Sequence, residues 1–384
     1  MKQVIDYLFT LLRFEMNGTG LCFDTKIIHA PDFLPLLFRL SKKHDLAHLI
    51  ADALDKNGLL PDDTEAKKRF FQQRNMAVYR YEQQQYEFQQ ICAVFQQSKI
   101  PFIPLKGAVI RALYPQPWMR TSCDIDILVK EEDLPNAIDA LTTKLNYQSG
   151  NKNNHDVSLF AESGVHLELH YKLGDSNQVW DGVLAKVWDY ATAEDGVRFA
   201  LTQEMFYFYH IAHMAGHFKC GGCGVRAFLD LFLLRKYLSY NADVLADLLQ
   251  QGGLTVFNEA VCALSEYWFG SGEETPLTLQ LNDFILNAGM YGDVENRVEI
   301  AKVKKGSRWK ALSSRIFLPY NQLKFQYPVL QKHKILVPFY QVKRWFRLLN
   351  KDRRKQSVRE LKMTMDEGKE KTERIAELLK GLDL

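Results

Sequence analysis

Cysteine is scarce in this chain, with six in 384 residues at Cys22, Cys92, Cys123, Cys220, Cys223 and Cys262. They lack the close, regular spacing of a small disulfide scaffold, which predicts reduced thiols in a cytoplasmic protein. Long apolar runs are lacking as well. No stretch approaches the roughly 20 apolar residues that cross a bilayer, so no spanning helix is expected. Residues 4–14 are largely apolar, but Asp6 interrupts them and no small-residue cleavage site follows, so no export signal is expected either. Internal repeats and low-complexity tracts are absent. What is present is an ordinary globular composition, 47% hydrophobic and 25% charged. A chain of this length predicts two or three domain-sized units with ample core.

The informative stretch is residues 100–170. Residues 100–105 form a short apolar run closed by Lys106-Gly107, and Val109, Ala112 and Leu113 then follow at helical spacing. A strand turning sharply into a helix at Gly107 is predicted. Pro115 and Pro117 end that helix. Residues 120–129 begin with turn formers and end in β-branched ones, which predicts a strand. Side chains alternate along a strand, so Asp124 and Asp126 share one face while Ile125, Ile127 and Val129 share the other. Residues 165–170 repeat the pattern, with His166, Glu168 and His170 on one face and Val165, Leu167 and Leu169 on the opposite one. If these two strands pair, three carboxylates converge. Like charges held so close repel unless a proton or cation separates them, and hard oxygen donors in this number suit Mg²⁺ or Mn²⁺. Two such ions can clamp the attacking and leaving oxygens of a phosphoryl displacement. His166 and His170 either orient phosphate oxygens or a metal-bound water, or pair with the neighbouring acids and hold the strand.

The order strand, glycine turn, helix, Asp-x-Asp on a strand and a third acid on a later strand resembles the nucleotidyltransferase superfamily that includes DNA polymerase beta. More narrowly, Pro104-Leu105-Lys106-Gly107, Arg120-x-x-x-Asp124-Ile125-Asp126 and His166-Leu167-Glu168-Leu169-His170 resemble an uncharacterised bacterial nucleotidyltransferase-like family. The similarity is strongest over residues 100–171 and extends more loosely to Asp230 and the basic tail. The resemblance implies a polymerase-beta-like palm and the transfer of a nucleoside monophosphate from a nucleoside triphosphate to an acceptor hydroxyl, with pyrophosphate leaving. Asp124 and Asp126 match the paired metal-binding acids, and Glu168 matches the third, which binds metal and helps to activate the acceptor. Lys106-Gly107 stands where the superfamily has Gly-Ser to hold the triphosphate, so Lys106 and Arg120 would neutralise phosphate charge, with His166 and His170 beside them. Asn146 stands where the family usually has glycine before Tyr147, a difference that concerns a turn. Two rival readings remain open: a catalytically inactive palm that binds nucleotide or a partner, and a metal-dependent phosphohydrolase with His166 and His170 as ligands.

The fold class expected is α+β, a mixed palm sheet with flanking helical regions. Its predicted units are an N-terminal helical bundle over 1–98, the palm over 99–195, a helical region over 196–300 and a basic helical segment over 301–384. In the first unit, a long helix opened by Asp62-Asp63-Thr64 carries Ala77, Tyr81, Phe88, Ile91 and Phe95 on one face, with Gln83–Gln85, Gln89 and Gln90 read as its wet side. A helix over 131–145 and a strand over 155–160 are predicted within the palm. In residues 204–240, His213-x-x-x-His217-x-x-Cys220-x-x-Cys223 has usable zinc spacing, although two cysteines flanking Gly221-Gly222 read equally as small residues in a turn. The resembling family carries histidines, an Arg and an Asp here, so His213, His217, Arg226 and Asp230 are candidates to line the cleft. Residues 301–355 hold sixteen Lys or Arg and one acid, Asp352, a net +15 that leaves −12 on the rest. Aromatics such as Trp309, Phe325 and Trp345 interleave with the charge. Packing against the acidic body is the favoured expectation, ahead of a nucleic-acid or membrane surface.

Overall fold

The computed structural model describes residues 1–20, 25–62, 64–174, 178–290, 292, 294–305, 309–310, 313, 316–320, 323, 327, 329–347 and 369–384. Cys22, Asp63, Phe325, Asp352 and other parts of the basic segment lie outside them. Four helices lead into a sheet: α1 (Lys2–Asn17), α2 (Phe33–Lys43), α3 (Ala47–Lys56) and α4 (Glu65–Ser98). Thr64 caps α4 by accepting from the Lys67 amide at 3.2 Å, the side-chain capping that serines and threonines give at helix starts. Ile91 and Phe95 of α4 are fully buried. Gln84 departs from the wet side expected of the glutamines. It is buried, donating to the Ser122 carbonyl at 3.1 Å and accepting from Arg111 at 3.1 Å, because a buried guanidinium and a buried carbonyl both need a polar partner.

The sheet is mixed and has seven strands in the order β3-β4-β5-β2-β1-β7-β6. In chain order they are β1 (Phe102–Pro104), β2 (Asp124–Val129), β3 (Gln148–Lys152), β4 (Asp156–Phe160), β5 (His166–His170), β6 (Ala191–Asp195) and β7 (Arg198–Leu201). The pairs β2 with β5 and β1 with β7 are parallel, and the other neighbours are antiparallel. The protein is therefore mixed α+β. The β3 strand and the β6–β7 hairpin lack a clean apolar alternation, and the sequence reading does not contain them. Between β4 and β5, Gly164 adopts φ 84°, a left-handed conformation natural to glycine in a tight turn.

Helix α5 (Lys106–Ile110) follows β1, and α6 (Leu134–Leu145) fills the predicted 131–145 stretch, starting later because Pro135 occupies its first turn. Asn146 ends α6 at φ 57°, the left-handed position that asparagine tolerates nearly as well as glycine. The apolar face of β2 and β5 packs Ile125, Ile127, Leu167 and Leu169 against Ile91 and Phe95 of α4 and Leu134, Ala137 and Leu141 of α6. The opposite face looks toward a larger helical core that includes α7 (Asp181–Leu184), α8 (Gln203–Lys219) and α9 (Val225–Tyr237). Helices α10 (Ala242–Gln251), α11 (Thr255–Phe269), α12 (Pro276–Ala288) and α13 (Val294–Lys305) complete that side. A final helix, Lys369–Gly381, sets Ile375 and Leu379 against Ile300 of α13. No helix is long and apolar enough to cross a membrane among the described residues.

Candidate active site

The parallel register of β2 and β5 sets Asp124 beside His166, Asp126 beside Glu168 and Leu128 beside His170. Neighbouring strands lie only about 4.8 Å apart, so one residue from each strand in register brings their functional groups together. Two ligand groups result, Asp124 with His166 and Glu168, and Asp126 with Glu168 and His170. Within each group the candidate ligand atoms lie within 4.8 Å of one another. Glu168 belongs to both.

Lys106 reaches the same place from the other side. After extended Leu105, the backbone of Lys106 turns through φ 37° and starts α5, which directs its ammonium back to the sheet. Lys106 Nζ lies 2.8 Å from Asp126 Oδ1, and His170 Nε2 donates to that oxygen at 2.9 Å. His170 Nε2 is also 3.6 Å from Glu168 Oε2. Burial by itself would raise the Asp126 carboxyl, but the Lys106 charge and the His170 hydrogen bond outweigh it and hold the group well below the usual carboxylate range. Asp124 moves the other way, pushed up by burial and by the charge of Asp126. Glu168 is raised for the same two reasons. Lys106 has its ammonium form reinforced because the Asp126 charge overcomes desolvation. A negatively charged, partly stripped pair of acids thus faces one fixed cation.

Gly107 is required by close approach. A Cβ there would lie 2.9 Å from Arg120 Nη1 and 3.3 Å from Ser122 Cβ. Arg120, in the loop before β2, packs against this turn, and among the described residues it does not hydrogen-bond the three acids. Its Nη2 donates to Asp230 Oδ2 at 2.9 Å, and Tyr114 donates to Asp230 Oδ1 at 2.8 Å, which ties the turn to α9. Arg226 and Thr121 both bond Asp45, at 2.5 and 2.6 Å. The Arg and Asp expected to line the cleft therefore sit in charge pairs at its wall, that of Asp230 buried and that of Arg226 half-buried.

From α8, Tyr209, His213 and His217 project at successive four-residue steps toward Lys106. Burial raises the Tyr209 hydroxyl, with the Lys106 charge opposing. The Nε2 atoms of His213 and His217 lie 3.2 Å apart. Burial holds His213 well below the ordinary imidazole value and His217 at about 4, with Lys106 adding to both shifts. Cys220 is exposed and Cys223 is buried. Among the described residues, neither joins the two histidines in a ligand group.

Two cavities meet here. One, of about 270 Å³, is lined by Asp124, Asp126, Arg120 and Arg226. The other, of about 460 Å³, is lined by His155, His170, Trp180 and Lys219. Lys106, Glu168, His213 and His217 line both.

A family model described as "Uncharacterised nucleotidyltransferase" matches residues 34–270, more than half of the chain. The chain belongs to this nucleotidyltransferase family. No curated protein and no solved structure matches it significantly. The family match contains all of Lys106, Gly107, Arg120, Asp124, Asp126, His166, Glu168 and His170, and it ends before the basic segment.

Nucleotidyltransferases generally use divalent metals, and the acids here could hold one. The donor set suits one: hard carboxylate oxygens from adjacent strands, and a buried His166 Nε2 with no hydrogen-bond partner beside Asp124 and Glu168. The sequence reading missed Tyr209, although its spacing of four residues from His213 marks one helix face. It also missed the network of Gln84, Arg111 and Ser122, in which Ser122 donates to the Asp124 carbonyl at 2.9 Å and anchors the start of β2. No periodicity announces that network, since its members come from three separate segments.

Proposed function

We propose that the protein is a metal-dependent nucleotidyltransferase that moves a nucleoside monophosphate from a nucleoside triphosphate to an acceptor hydroxyl. The observation that carries this reading is the register of β2 with β5, which brings Asp124, Asp126 and Glu168 onto one face opposite Lys106, within a nucleotidyltransferase family. The sheet is read as a polymerase-beta-like palm, and the division 1–98, 99–195, 196–300 and 301–384 is kept as the proposed unit plan. Asp124, Asp126 and Glu168 would hold Mg²⁺ or Mn²⁺, with His166 and His170 beside them. Bound there, the metal would lower the charge on the triphosphate and stabilise the attacking and leaving oxygens.

The residues of the chain have separate tasks. Lys106, fixed at the start of α5, neutralises phosphate charge, and Gly107 allows the turn that puts it there. Arg120 adds positive potential while its salt bridge to Asp230 holds the turn. Glu168, whose carboxyl is raised by burial and by its acidic neighbours, takes the proton of the acceptor hydroxyl. The hydroxyl oxygen then bonds to the α-phosphorus, the bond from that phosphorus to the bridging oxygen breaks, and pyrophosphate leaves with the electron pair. Labelled nucleoside triphosphates incubated with the protein, Mg²⁺ and cell extract test this. Transfer of α-label but not γ-label to an acceptor is the expected result, and absence of metal-dependent triphosphate binding by calorimetry overturns it.

One observation favours a second reading. Each ligand group contains a histidine, a donor set that also serves metal-dependent phosphohydrolases. Turnover of a generic phosphodiester with no triphosphate present would decide for that reading.

A further inference from the structure

The two cavities differ in what they touch and in how their cations are balanced. Asp124 and Asp126 line the smaller cavity and not the larger, whereas Glu168 lines both. In the smaller one each guanidinium already has a carboxylate, Arg120 with Asp230 and Arg226 with Asp45. Besides Lys106, which pairs with Asp126, the larger one holds two ammonium groups that are balanced differently. Lys219 Nζ lies 4.8 Å from the centre of the Trp180 ring and donates to Gln178 Oε1 at 2.6 Å. Lys304, from α13, donates to the Lys219 carbonyl at 2.8 Å. Neither makes an ion pair with a carboxylate among the described residues. An ammonium has three donors, so each keeps capacity for a ligand. Both are shifted toward the neutral form, first by desolvation; the charge of Asp383 partly opposes this at Lys219, and Lys219 adds to it at Lys304. Lys219 is half-buried and Lys304 exposed, and two like charges lining one cavity favour an anion between them. Asp181 also lines this cavity; its Oδ2 accepts from the Gln178 amide at 2.8 Å, and its Oδ1 is buried with no hydrogen-bond partner among the described residues.

We propose that the larger cavity is the acceptor site and that the acceptor is a small phosphomonoester, its phosphate held by Lys219 and Lys304 and its hydroxyl presented at Glu168. This rests on the nucleotidyltransferase reading above and adds the acceptor class to it. If the triphosphate and its metal occupy the side carrying Asp124 and Asp126, the adjoining site, which shares Lys106, Glu168, His213 and His217 with it but neither aspartate, is left for the nucleophile. Its volume of about 460 Å³ falls within the ~300–1,000 Å³ usual for small-molecule sites. The Trp180 ring and the Lys219 stem form an amphipathic wall suited to the carbon skeleton of a sugar or polyol. The products would be pyrophosphate and a phosphodiester that joins the nucleoside monophosphate to the hydroxyl oxygen of the phosphomonoester, formed by the step already balanced above.

The test uses the full chain with Mg²⁺ and a non-hydrolysable triphosphate. Calorimetry is run with ribose 5-phosphate, glucose 6-phosphate and glycerol 3-phosphate, and with ribose, glucose and glycerol as unphosphorylated controls. At least one phosphomonoester is expected to bind while its control does not. Lys304→Met and Lys219→Met are each expected to weaken that binding by about tenfold or more, the loss of one charge-assisted hydrogen bond, and to leave triphosphate affinity within about threefold. The proposal is overturned if no phosphomonoester binds, if the variants bind it as the parent does, or if they lose triphosphate affinity instead, which would assign the lysines to the nucleotide. Failure of the nucleotidyltransferase reading is seen separately, as absence of metal-dependent triphosphate binding in the parent protein.

Discussion

The two faces of β2 solve burial in opposite ways. Ile125 and Ile127 project into a dry core against α4 and α6, where removal from water is itself the stabilising term. Asp126, their neighbour in sequence, is just as buried at 3% exposure, but it is tolerated only because Lys106 and His170 both bond its Oδ1. The first face is replaceable by apolar side chains of similar volume and shape. The second is specific, since its charge, its partners and its geometry have to change together. A strand with one such face carries a constraint that stability alone does not explain, and that asymmetry is why this face is assigned the chemistry.

Breaking the charged face is expected to have the largest effect. Asp126→Asn removes a ligand charge with almost no change of volume, so metal-dependent transfer should fall by about a hundredfold or more, as loss of one preorganised electrostatic group does elsewhere. The fold should persist, because Lys106 keeps the charges of Asp124 and Glu168 nearby. Full turnover in this variant, measured by label transfer, would remove Asp126 from the machinery.

A buried titratable group without a carboxylate partner sharpens the contrast with Asp126. His44 is fully buried, with its Nε2 3.4 Å from the Leu286 carbonyl, and burial lowers it from the usual imidazole value to about 4. Its folded value is depressed, so between the unfolded value near 6.5 and about 4 the unfolded chain binds more protons. Stability is therefore unaffected by this group above that window and falls as pH drops through it, by up to about 1.4 kcal/mol per pH unit. Urea unfolding from pH 7.5 down to about 4.5 checks this. The slope should be shallower in His44→Gln than in the parent, and identical slopes would show that His44 does not titrate as a buried neutral group.

The apolar face should respond more mildly and without chemical consequence. Ile127→Val leaves a one-methylene gap in the core and is expected to cost about 1 kcal/mol in urea unfolding. Triphosphate binding should stay unchanged. Loss of binding at unchanged stability would mean that the two faces are coupled through the strand.

How much of this was legible beforehand follows from the same asymmetry. Alternation at 124–129 and 165–170 is a local, period-two signal, and it marks both faces of β2 and β5 before any pairing is known. The parallel register that puts Asp126 beside Glu168 is non-local, yet the need to bury Ile127 and Leu169 on one face leaves little freedom for slippage. The β6–β7 hairpin was illegible because β6 is a largely exposed edge strand and β7 beside it is half-buried throughout, so neither shows apolar alternation. Gln84 was misread because a helical wheel reports polarity, and polarity on a helix means water only when no buried partner waits opposite. The two cavities, and the pairing of Lys219 with Lys304 across α8 and α13, depend on packing between segments that no spacing connects.

The smallest effect concerns charge at the surface, where the comparison with Asp126 is sharpest. Residues 301–355 carry a net +15 against −12 on the rest, which suggests that electrostatics holds the C-terminal part to the body. The final helix, Lys369–Gly381, lies beyond that segment, and its described contacts include apolar anchors. Leu378 and Leu382 enter the main core, while Ile375 and Leu379 cover Ile300. Its ion pair to the body, Lys371 with Glu295 at 2.8 Å, joins side chains that are 44% and 50% exposed, where water and salt screen the attraction. Such pairs contribute about 0–1 kcal/mol. Lys371→Ala should therefore shift the urea midpoint by less than about 1 kcal/mol, and raising the salt concentration should shift the parent no more than that. Leu379→Ala, which removes a buried anchor, should cost about 2 kcal/mol or more. Reversal of that order, with the charge variant or salt weakening the protein more than the leucine variant, would mean that the C-terminal helix is held by charge and that exposure alone does not separate this pair from the one at Asp126.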